Sequence, residues 1–219
     1  MHKEVRMNTR TTEGFDQKAA SWDDDPVRVK LARDISHSIL RDIPLTPDMD
    51  VMDFGCGTGL IALQLSPWVR SVVGYDSSRG MLDVFKKKIF QQNRIGVEAR
   101  FLDKEKNIGI IGQYHLIISS MTLHHVKDIK ALLDQFYTAL QPSGCLCIAD
   151  LEVEDGKFHD NNEGIFHYGF DKNILSGILR KAGYLVSGSV TPAEVVKTGK
   201  DGIERSFSIF LLTAHKHKK

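Results

Sequence analysis

The sequence predicts an α/β domain built on a largely parallel sheet, and two observations carry this prediction. Short apolar runs alternate along the chain with longer stretches whose apolar residues recur at helical spacing. Three of the apolar runs end in an acid, at Asp53, Asp76 and Asp103. Because ligands of open parallel sheets bind beyond the carboxyl ends of the strands, these acids indicate the edge where a site would lie.

Length and composition are those of one enzyme-sized domain. The chain has 219 residues, of which 42% are hydrophobic and 26% are charged, and its formal net charge is +1. This charge argues against a nucleic-acid or membrane partner, and no apolar run approaches the roughly 20 residues of a membrane span. Three cysteines form no disulfide framework, which is typical of a reducing compartment. We therefore expect a cytoplasmic protein, and the sequence leaves its oligomeric state open.

The N-terminal region divides into a polar stretch and a helical part. Residues 1–14 have no apolar signal core and are predicted to be flexible. Phe15 and Trp22 then share one face of a short helical turn, whose simplest role is a hydrophobic anchor. A longer helix is predicted to start at Pro26 and to end before Pro44.

The most informative stretch, residues 51–60, reads as strand, tight turn and helix start. Gly55, Gly57 and Gly59 follow Asp53 at alternate positions. Glycines let the backbone turn sharply and let a ligand approach, and the helix start directs unpaired N–H groups at that ligand. A dinucleotide fingerprint has the form G-x-G-x-x-G, so this spacing counts against an NAD-dependent oxidoreductase. Taken alone, the motif is also compatible with an ordinary glycine-rich turn.

The next two predicted strands, residues 71–76 and 97–103, also end in acids. Asp76 lies about twenty residues beyond the glycines, where a ribose-binding acid belongs in such folds. The alternative is that Asp76 caps the following helix, a role that Ser77 or Ser78 could also fill.

The second half of the chain continues the alternation of strands and helices. The predicted elements are strands at 114–120, 145–151, 184–190 and 206–213, and helices at 129–140 and 174–182. A turn is predicted at 199–202. The long polar connection at 152–171 contains His159 and His167, and loops of this length usually have a function. Cys145 and Cys147 point to the same side of their strand, which favours core packing over a redox pair.

Four local patterns together resemble the class I S-adenosylmethionine-dependent methyltransferases of small-molecule type, similar to those of ubiquinone and menaquinone biosynthesis. The patterns are D-x-G-x-G-x-G at 53–59, F-D-x-x-A-x-x-W at 15–22, L-H-H-V-x-D at 123–128 and L-x-P-x-G at 140–144. The resemblance implies a doubly wound, Rossmann-like sheet of seven mostly parallel strands, with an antiparallel strand near the C-terminus. It also implies a single domain at 15–219, with a helical cap at 15–45 and a lid at 152–171.

The resemblance implies S-adenosyl-L-methionine as the cofactor and suggests how it is bound. The three glycines would give room for its methionine part, and Asp53 would lie near its ammonium group. Asp76 would accept both ribose hydroxyls, and Asp103 would lie near the adenine amino group, although Lys104 departs from the usual small apolar residue there. The full predicted cofactor set is Phe15, Trp22, Asp53, Gly55, Cys56, Gly57, Gly59, Asp76, Ser77, Asp103 and Ser119.

Methyl transfer to a small molecule is the activity that the resemblance implies. The donor is already activated by its positive charge, so the protein mainly supplies alignment and a desolvated site. A base is needed only if the nucleophile must lose a proton. The candidates are His124 and His125, joined by His159 and His167 from the connection. The alternative for at least one of the first pair is a packed residue, or a cap of the helix that starts near Asp128.

The connection at 152–171 is predicted to cover the acceptor site, with His159 or His167 facing the methyl group. The alternative is a surface loop whose aromatic residues pack on the sheet. These histidines, together with Asp150, Glu152 and Glu154, include metal-ligating types, but no tight ligand spacing supports a metal and none is predicted. The lid has no basic surface, which favours a small acceptor over RNA. A protein or nucleic-acid methyltransferase and a cofactor-binding module without turnover remain open.

Overall fold

The computed structural model describes residues 9–103 and 110–217, which form one seven-stranded sheet flanked by helices. The strands are β1 (Asp50–Phe54), β2 (Ser71–Asp76), β3 (Val97–Phe101), β4 (Tyr114–Ser120), β5 (Leu140–Leu151), β6 (Tyr184–Thr198) and β7 (Glu204–Lys216). Their order across the sheet is β3-β2-β1-β4-β5-β7-β6. Strands β1 to β5 pair in parallel, and β7 is antiparallel to both of its neighbours. The predicted fold class is confirmed.

The helices cover both faces of the sheet, which makes the fold doubly wound. They are α1 (Thr9–Lys18), α2 (Pro26–Asp42), α3 (Leu60–Leu65), α4 (Arg79–Gln91), α5 (Ile129–Ala139) and α6 (Lys172–Lys181). One core packs beneath α2, α3 and α4, and a second packs beneath α5 and α6. The neighbours Val51 and Met52 on β1 are both fully buried, one in each core, because successive strand residues point to opposite faces.

The helix caps resolve two alternatives that the sequence left open. Ser78 Oγ accepts the backbone N–H of Met81 at 3.1 Å and caps α4, so Asp76 is not the cap. Asp128 Oδ1 accepts the N–H of Ala131 at 2.9 Å and caps α5. Neither histidine of the 124–125 pair is therefore needed to cap that helix.

Some boundaries differ from the sequence prediction. Helix α1 includes residues 9–14, which were predicted to be flexible, and residues 1–8 lie outside the described part of the chain. Strand β6 continues to Thr198 rather than ending at Val190, with an irregular register between Val190 and Ala193. Pro192 lies in that irregular stretch, and a proline is tolerated here because β6 is an edge strand. Strand β5 begins at Leu140, earlier than predicted.

The connection at 152–171 contains no helix or long strand, but it is tied to the sheet. The N–H of Phe170 bonds the carbonyl of Leu151 at 2.8 Å, and a bridge pairs Glu152 with Phe170. Within the described ranges, no α-helix is long and apolar enough to cross a membrane.

Candidate active site

The glycine loop follows β1 and is held against the end of β2. The N–H of Gly55 bonds the carbonyl of Tyr75 at 2.7 Å, and the N–H of Gly57 bonds Asp76 Oδ2 at 2.8 Å. The φ angles of Gly55, Gly57 and Gly59 are +75°, +52° and +79°, a region that residues with a side chain rarely adopt. The sequence Asp-Phe-Gly-Cys-Gly-Thr-Gly therefore turns the chain sharply between β1 and α3.

The three glycines serve different purposes. A Cβ at Gly55 would lie 2.2 Å from Thr122 Oγ1, and one at Gly59 would lie 2.1 Å from the Phe85 ring. A Cβ at Gly57 would meet no atom within 4 Å. The predicted role of all three glycines in making room for a ligand therefore fits Gly57 alone, because Thr122 and Phe85 fill the space beside the other two.

Asp76 is positioned by the backbone around it. Its Oδ2 accepts the N–H of Gly57, and its Oδ1 accepts the N–H of Ser78 at 2.8 Å. These bonds fix the carboxylate at the carboxyl end of β2. A carboxylate oxygen can accept more than one hydrogen bond, so this group can also receive a pair of ligand hydroxyls.

Asp53 lies at the end of β1 and is only 2% exposed. Burial, and then the charge of Asp76, raise the pKa of Asp53 to about 7, while the amide of Ala62 acts in the opposite direction. A buried carboxyl group with such a pKa becomes charged when a cation approaches it. Asp53 therefore suits a ligand that carries an ammonium group.

The segment from α1 to α2 folds over the glycine loop and the start of α4. Asp16 Oδ1 accepts bonds from Ser78 Oγ at 2.6 Å and from the N–H of Gly80 at 2.8 Å. Asp23 accepts Thr58 Oγ1 at 2.6 Å and forms an ion pair with Lys88 at 2.7 Å. The sequence alone did not point to these anchoring side chains. The available signal was the pair of acids within the F-D-x-x-A-x-x-W-D segment.

The aromatic residues of this cap lie between two groups of the site. The ring of Phe15 packs edge-on against Trp22, with centroids 5.7 Å apart, and against His125 at 5.4 Å. Phe15 therefore links the cap to the residues that follow β4.

The other predicted cofactor residues lie around the same edge of the sheet. Cys56 is buried in the loop, and its burial raises the pKa of its thiol. Ser77 follows β2 and is half-buried. Ser119 is fully buried on β4, beside Phe54 of β1, and its Oγ has no hydrogen-bond partner among the described residues. Asp103 follows β3 and is half-buried next to residues 104–109, which are not described.

Three histidines converge beyond the ends of β4 and β5, and we call His124, His125 and His159 the histidine cluster. His124 and His125 form a short helical turn after β4 and are 1% and 8% exposed. The ring centroid of His124 is 4.2 Å from that of His125 and 5.0 Å from that of His159. The structure thus joins the sequence-adjacent pair to a histidine of the connection.

Two protein acceptors hold the rings of the pair. His124 Nδ1 lies 2.6 Å from Oδ1 of Asp150, a fully buried side chain near the end of β5. His125 Nδ1 lies 3.2 Å from the carbonyl oxygen of Gly164. An acceptor at Nδ1 places the proton there and leaves the lone pair on Nε2. The Nε2 atoms of His124 and His159 are buried and have no hydrogen-bond partner within the described ranges.

The two histidines of the connection have different surroundings. Burial, and then the nearby His124 and His125, lower the pKa of His159 to about 3, so its ring is neutral at physiological pH. His167 Nε2 instead lies 3.0 Å from the carbonyl of Val126, and its ring packs on Phe170 at 5.2 Å. His167 therefore lies apart from the cluster and helps to hold the loop.

The connection packs directly over the cluster. The N–H of Phe166 bonds the carbonyl of His124 at 2.9 Å. Phe158, next to His159, packs edge-on against Phe207 of β7 at 5.2 Å. Phe158 thus packs on the sheet, whereas Phe166 and Tyr168 are exposed, and the covering of an acceptor by this segment stays a prediction.

Comparisons with known proteins agree with this architecture. A family model described as a methyltransferase domain matches residues 27–184. An uncharacterized methyltransferase of Schizosaccharomyces pombe is 30% identical over 163 residues, which cover 68% of this chain and 55% of that protein. The mitochondrial ubiquinone biosynthesis O-methyltransferase of Saccharomyces cerevisiae is 27% identical over 118 residues, which cover 51% of this chain and 36% of that protein.

A solved structure gives the same result for the fold. Phosphoethanolamine N-methyltransferase 2 of Haemonchus contortus, in complex with S-adenosyl-L-methionine, superposes with a TM-score of 0.66 at 18% identity. The match covers 84% of this chain and 52% of that one. For the two sequence relatives, the matched part of the chain spans about half the length of the S. pombe protein and about a third of the S. cerevisiae protein.

The family match takes in the elements that build the site. It runs from the start of α2 to the first residue of β6 and includes the glycine loop, Asp76, the 124–125 pair and the connection. The chain therefore belongs to the methyltransferase-domain family.

Proposed function

We propose that this protein transfers a methyl group from S-adenosyl-L-methionine to a small-molecule acceptor. The observation that carries the proposal is a site with two distinct ends on one edge of the sheet. One end contains Gly57 and Asp76, and the other contains the histidine cluster. Phe15 of the cap contacts His125, so the same segment borders both ends.

The residues at the first end fit the cofactor. The open space beside Gly57 admits a ligand close to the backbone, and the fixed carboxylate of Asp76 suits the two ribose hydroxyls. Asp53, whose pKa is raised to about 7, becomes charged beside the methionine ammonium group. Bound there, the cofactor supplies a methyl group on a positively charged sulfur. The protein's own contribution is to align that group and to exclude water.

The histidine cluster at the other end is the group that meets the acceptor. Its rings offer nitrogen lone pairs in a buried setting, where electrostatic interactions are stronger than in water. Asp150 orients His124, which suits binding and activating a nucleophile that must lose a proton. Asp150 is thus a positioning residue that acts through His124.

Several observations support a small acceptor over a protein or nucleic acid. The connection packs closely over the cluster, which leaves a covered site rather than an open groove. The formal net charge is only +1, so the chain does not carry the strong excess of basic residues that is typical of nucleic-acid-binding proteins. One relative is named for ubiquinone biosynthesis and one structural neighbour for phosphoethanolamine, and both names point to small molecules. The buried free cysteines support a reducing, cytoplasmic location.

A screen of candidate acceptors with radiolabelled methyl donor tests the proposal. We expect label to appear in a small-molecule product, and Asp150→Asn to lower turnover at least tenfold while cofactor affinity stays within about twofold. Label found only in protein or nucleic acid would contradict the small-acceptor assignment. Cofactor binding without turnover across phenols, thiols, amines and acidic carbon acceptors would favour a binding module instead.

A further inference from the structure

The histidine cluster contains polar atoms whose burial needs an explanation. One ligand-type atom from each of its three histidines lies within 4.8 Å of the others. Nε2 of His124 and Nε2 of His159 are buried, and neither has a hydrogen-bond partner in the part of the chain that the structure describes. A buried polar atom without a partner is costly, so such an atom calls for a bound partner such as a water, a ligand or an ion.

The surroundings of the cluster match the outer shell of a metal site. Metal-binding histidines characteristically donate their second ring N–H to a carboxylate or a backbone carbonyl. Here Asp150 occupies that place for His124, at 2.6 Å, and the carbonyl of Gly164 does so for His125, at 3.2 Å. For His124 this arrangement leaves the buried Nε2 as the ligand atom.

The backbone on the N-terminal side of His159 is also held in place. Glu154 Oε2 accepts the N–H of Lys157 at 2.6 Å and that of Phe158 at 3.1 Å. Phe158 also packs edge-on against the ring of His159, with centroids 4.9 Å apart. The third histidine is thus presented to the other two by an ordered turn of the connection.

We propose that His124, His125 and His159 bind a Zn²⁺ ion in the acceptor site. Three neutral imidazoles suit zinc, and three protein ligands leave the fourth tetrahedral position open, as in catalytic zinc sites. Zn–N bonds of about 2.0–2.1 Å require ligand atoms about 3.4 Å apart, so the rings must draw together by about 1 Å. His159, carried by the connection, can supply that movement.

This inference rests on the proposed function and specifies its acceptor. An acceptor hydroxyl or thiol would occupy the open position as its anion, with its proton released to solvent, because a bound Zn²⁺ lowers the pKa of such a group. The acceptor class is then a small molecule with an ionisable oxygen or sulfur. A zinc ion here would replace the expectation from the sequence that no metal is bound. Asp150 would then orient His124 through its hydrogen bond and would not itself be a ligand.

Metal titration of the full chain without an affinity tag tests the inference. The protein is stripped with a chelator and titrated with Zn²⁺ by calorimetry, and with Co²⁺ while the absorption bands of tetrahedral cobalt are followed. We expect one equivalent to bind. His124→Ala and His159→Ala should each lower the affinity at least 100-fold, and Asp150→Asn should lower it about 10- to 100-fold.

His167→Ala is the matched control, because this histidine lies in the same connection but outside the cluster. It should bind zinc as the wild type does. Each variant is checked for its fold by circular dichroism and for its cofactor affinity. Weak or non-stoichiometric binding by the wild type, or unchanged affinity in a folded His124→Ala protein, would overturn the inference.

Assays of the chelator-treated protein distinguish failure of the zinc site from failure of the proposed function. If the chelator-treated protein binds no added zinc but still transfers labelled methyl, the zinc site is rejected and the methyltransferase activity is kept. Zinc binding without any cofactor binding or turnover would reject the activity and keep the site.

Discussion

The two ends of the site differ in how far the protein satisfies its own polar groups. At the glycine loop, Asp76 accepts bonds from the N–H groups of Gly57 and Ser78, and Asp23 anchors the cap through Thr58. At the histidine cluster, buried ring nitrogens of His124 and His159 have no such partners among the described residues. The first end is already organised, whereas the second is completed by what binds there.

This difference predicts that the ends can be perturbed separately. Changes at the glycine loop should alter cofactor affinity or the stability of the fold. Changes at the cluster should alter turnover and leave cofactor affinity close to that of the wild type. Variants that break this separation would show that the ends act as one unit.

The largest effect is expected for Asp76→Ala. Two hydrogen bonds from ribose to a charged acceptor would be lost, at about 1.5–3 kcal/mol each, so S-adenosylmethionine should bind at least about 100-fold more weakly. Calorimetry measures the affinity, and thermal unfolding checks that the loop remains folded. Asp76→Asn keeps the shape of the side chain and should show a smaller loss. Unchanged affinity in a folded Asp76→Ala protein would remove Asp76 from the ribose role.

Substitution of the glycines by alanine sharpens the description of the loop. Gly59→Ala should destabilise the fold by about 2–4 kcal/mol, because the new Cβ meets the Phe85 ring and φ is +79°. Gly57→Ala should cost only about 1 kcal/mol in stability, because its Cβ meets no protein atom, but it should weaken cofactor binding. Urea unfolding and calorimetry measure the two quantities. Equal destabilisation by both variants would contradict the distinction between them.

The histidines of the connection provide a comparison within one segment. His159→Ala should lower turnover about tenfold or more, because it removes a nitrogen from the cluster, while cofactor affinity is nearly kept. His167→Ala should have a much smaller effect on turnover, since this ring contacts Val126 and Phe170 instead. Steady-state assays of both variants and of the double variant test this. A larger loss from His167→Ala would show that the wrong histidine has been assigned.

A further effect concerns the pH dependence of stability. The pKa of Asp53 is about 7 in the folded protein, above its unfolded value of about 3.9. The folded state therefore binds more protons than the unfolded state between about pH 4 and 7, and this contribution to stability is lost as the pH rises. Asp53→Asn cannot lose a proton, so it should gain stability relative to the wild type by up to about 1.4 kcal/mol for each pH unit between pH 4 and 7. Parallel unfolding curves at all pH values would contradict the raised pKa.

The sequence predicted the parts of the molecule that depend on local patterns. Strand β2 was predicted at its observed bounds and β1 to within one residue, because short apolar runs and glycines are local signals. Strand β6 was predicted to end at Val190 but continues to Thr198, because an edge strand with an irregular register can contain Pro192.

Long-range convergence could not be predicted in the same way. His124 and Asp150 are 26 residues apart, and Asp16 and Ser78 are 62 residues apart. Their pairing depends on the paths of the connection and the cap, which local patterns do not specify. The roles of Gly55 and Gly59 were hidden for the same reason, because Thr122 and Phe85 approach them from distant elements.

Calorimetric titration of the wild-type chain tests whether the glycine loop and Asp76 bind S-adenosylmethionine. We expect S-adenosylmethionine and its demethylated product both to bind with one-to-one stoichiometry, while NAD does not bind measurably under the same conditions. This follows from the open space at Gly57 and the fixed carboxylate of Asp76. NAD binding as tight as that of S-adenosylmethionine, or no binding of S-adenosylmethionine to the folded protein, would contradict the account.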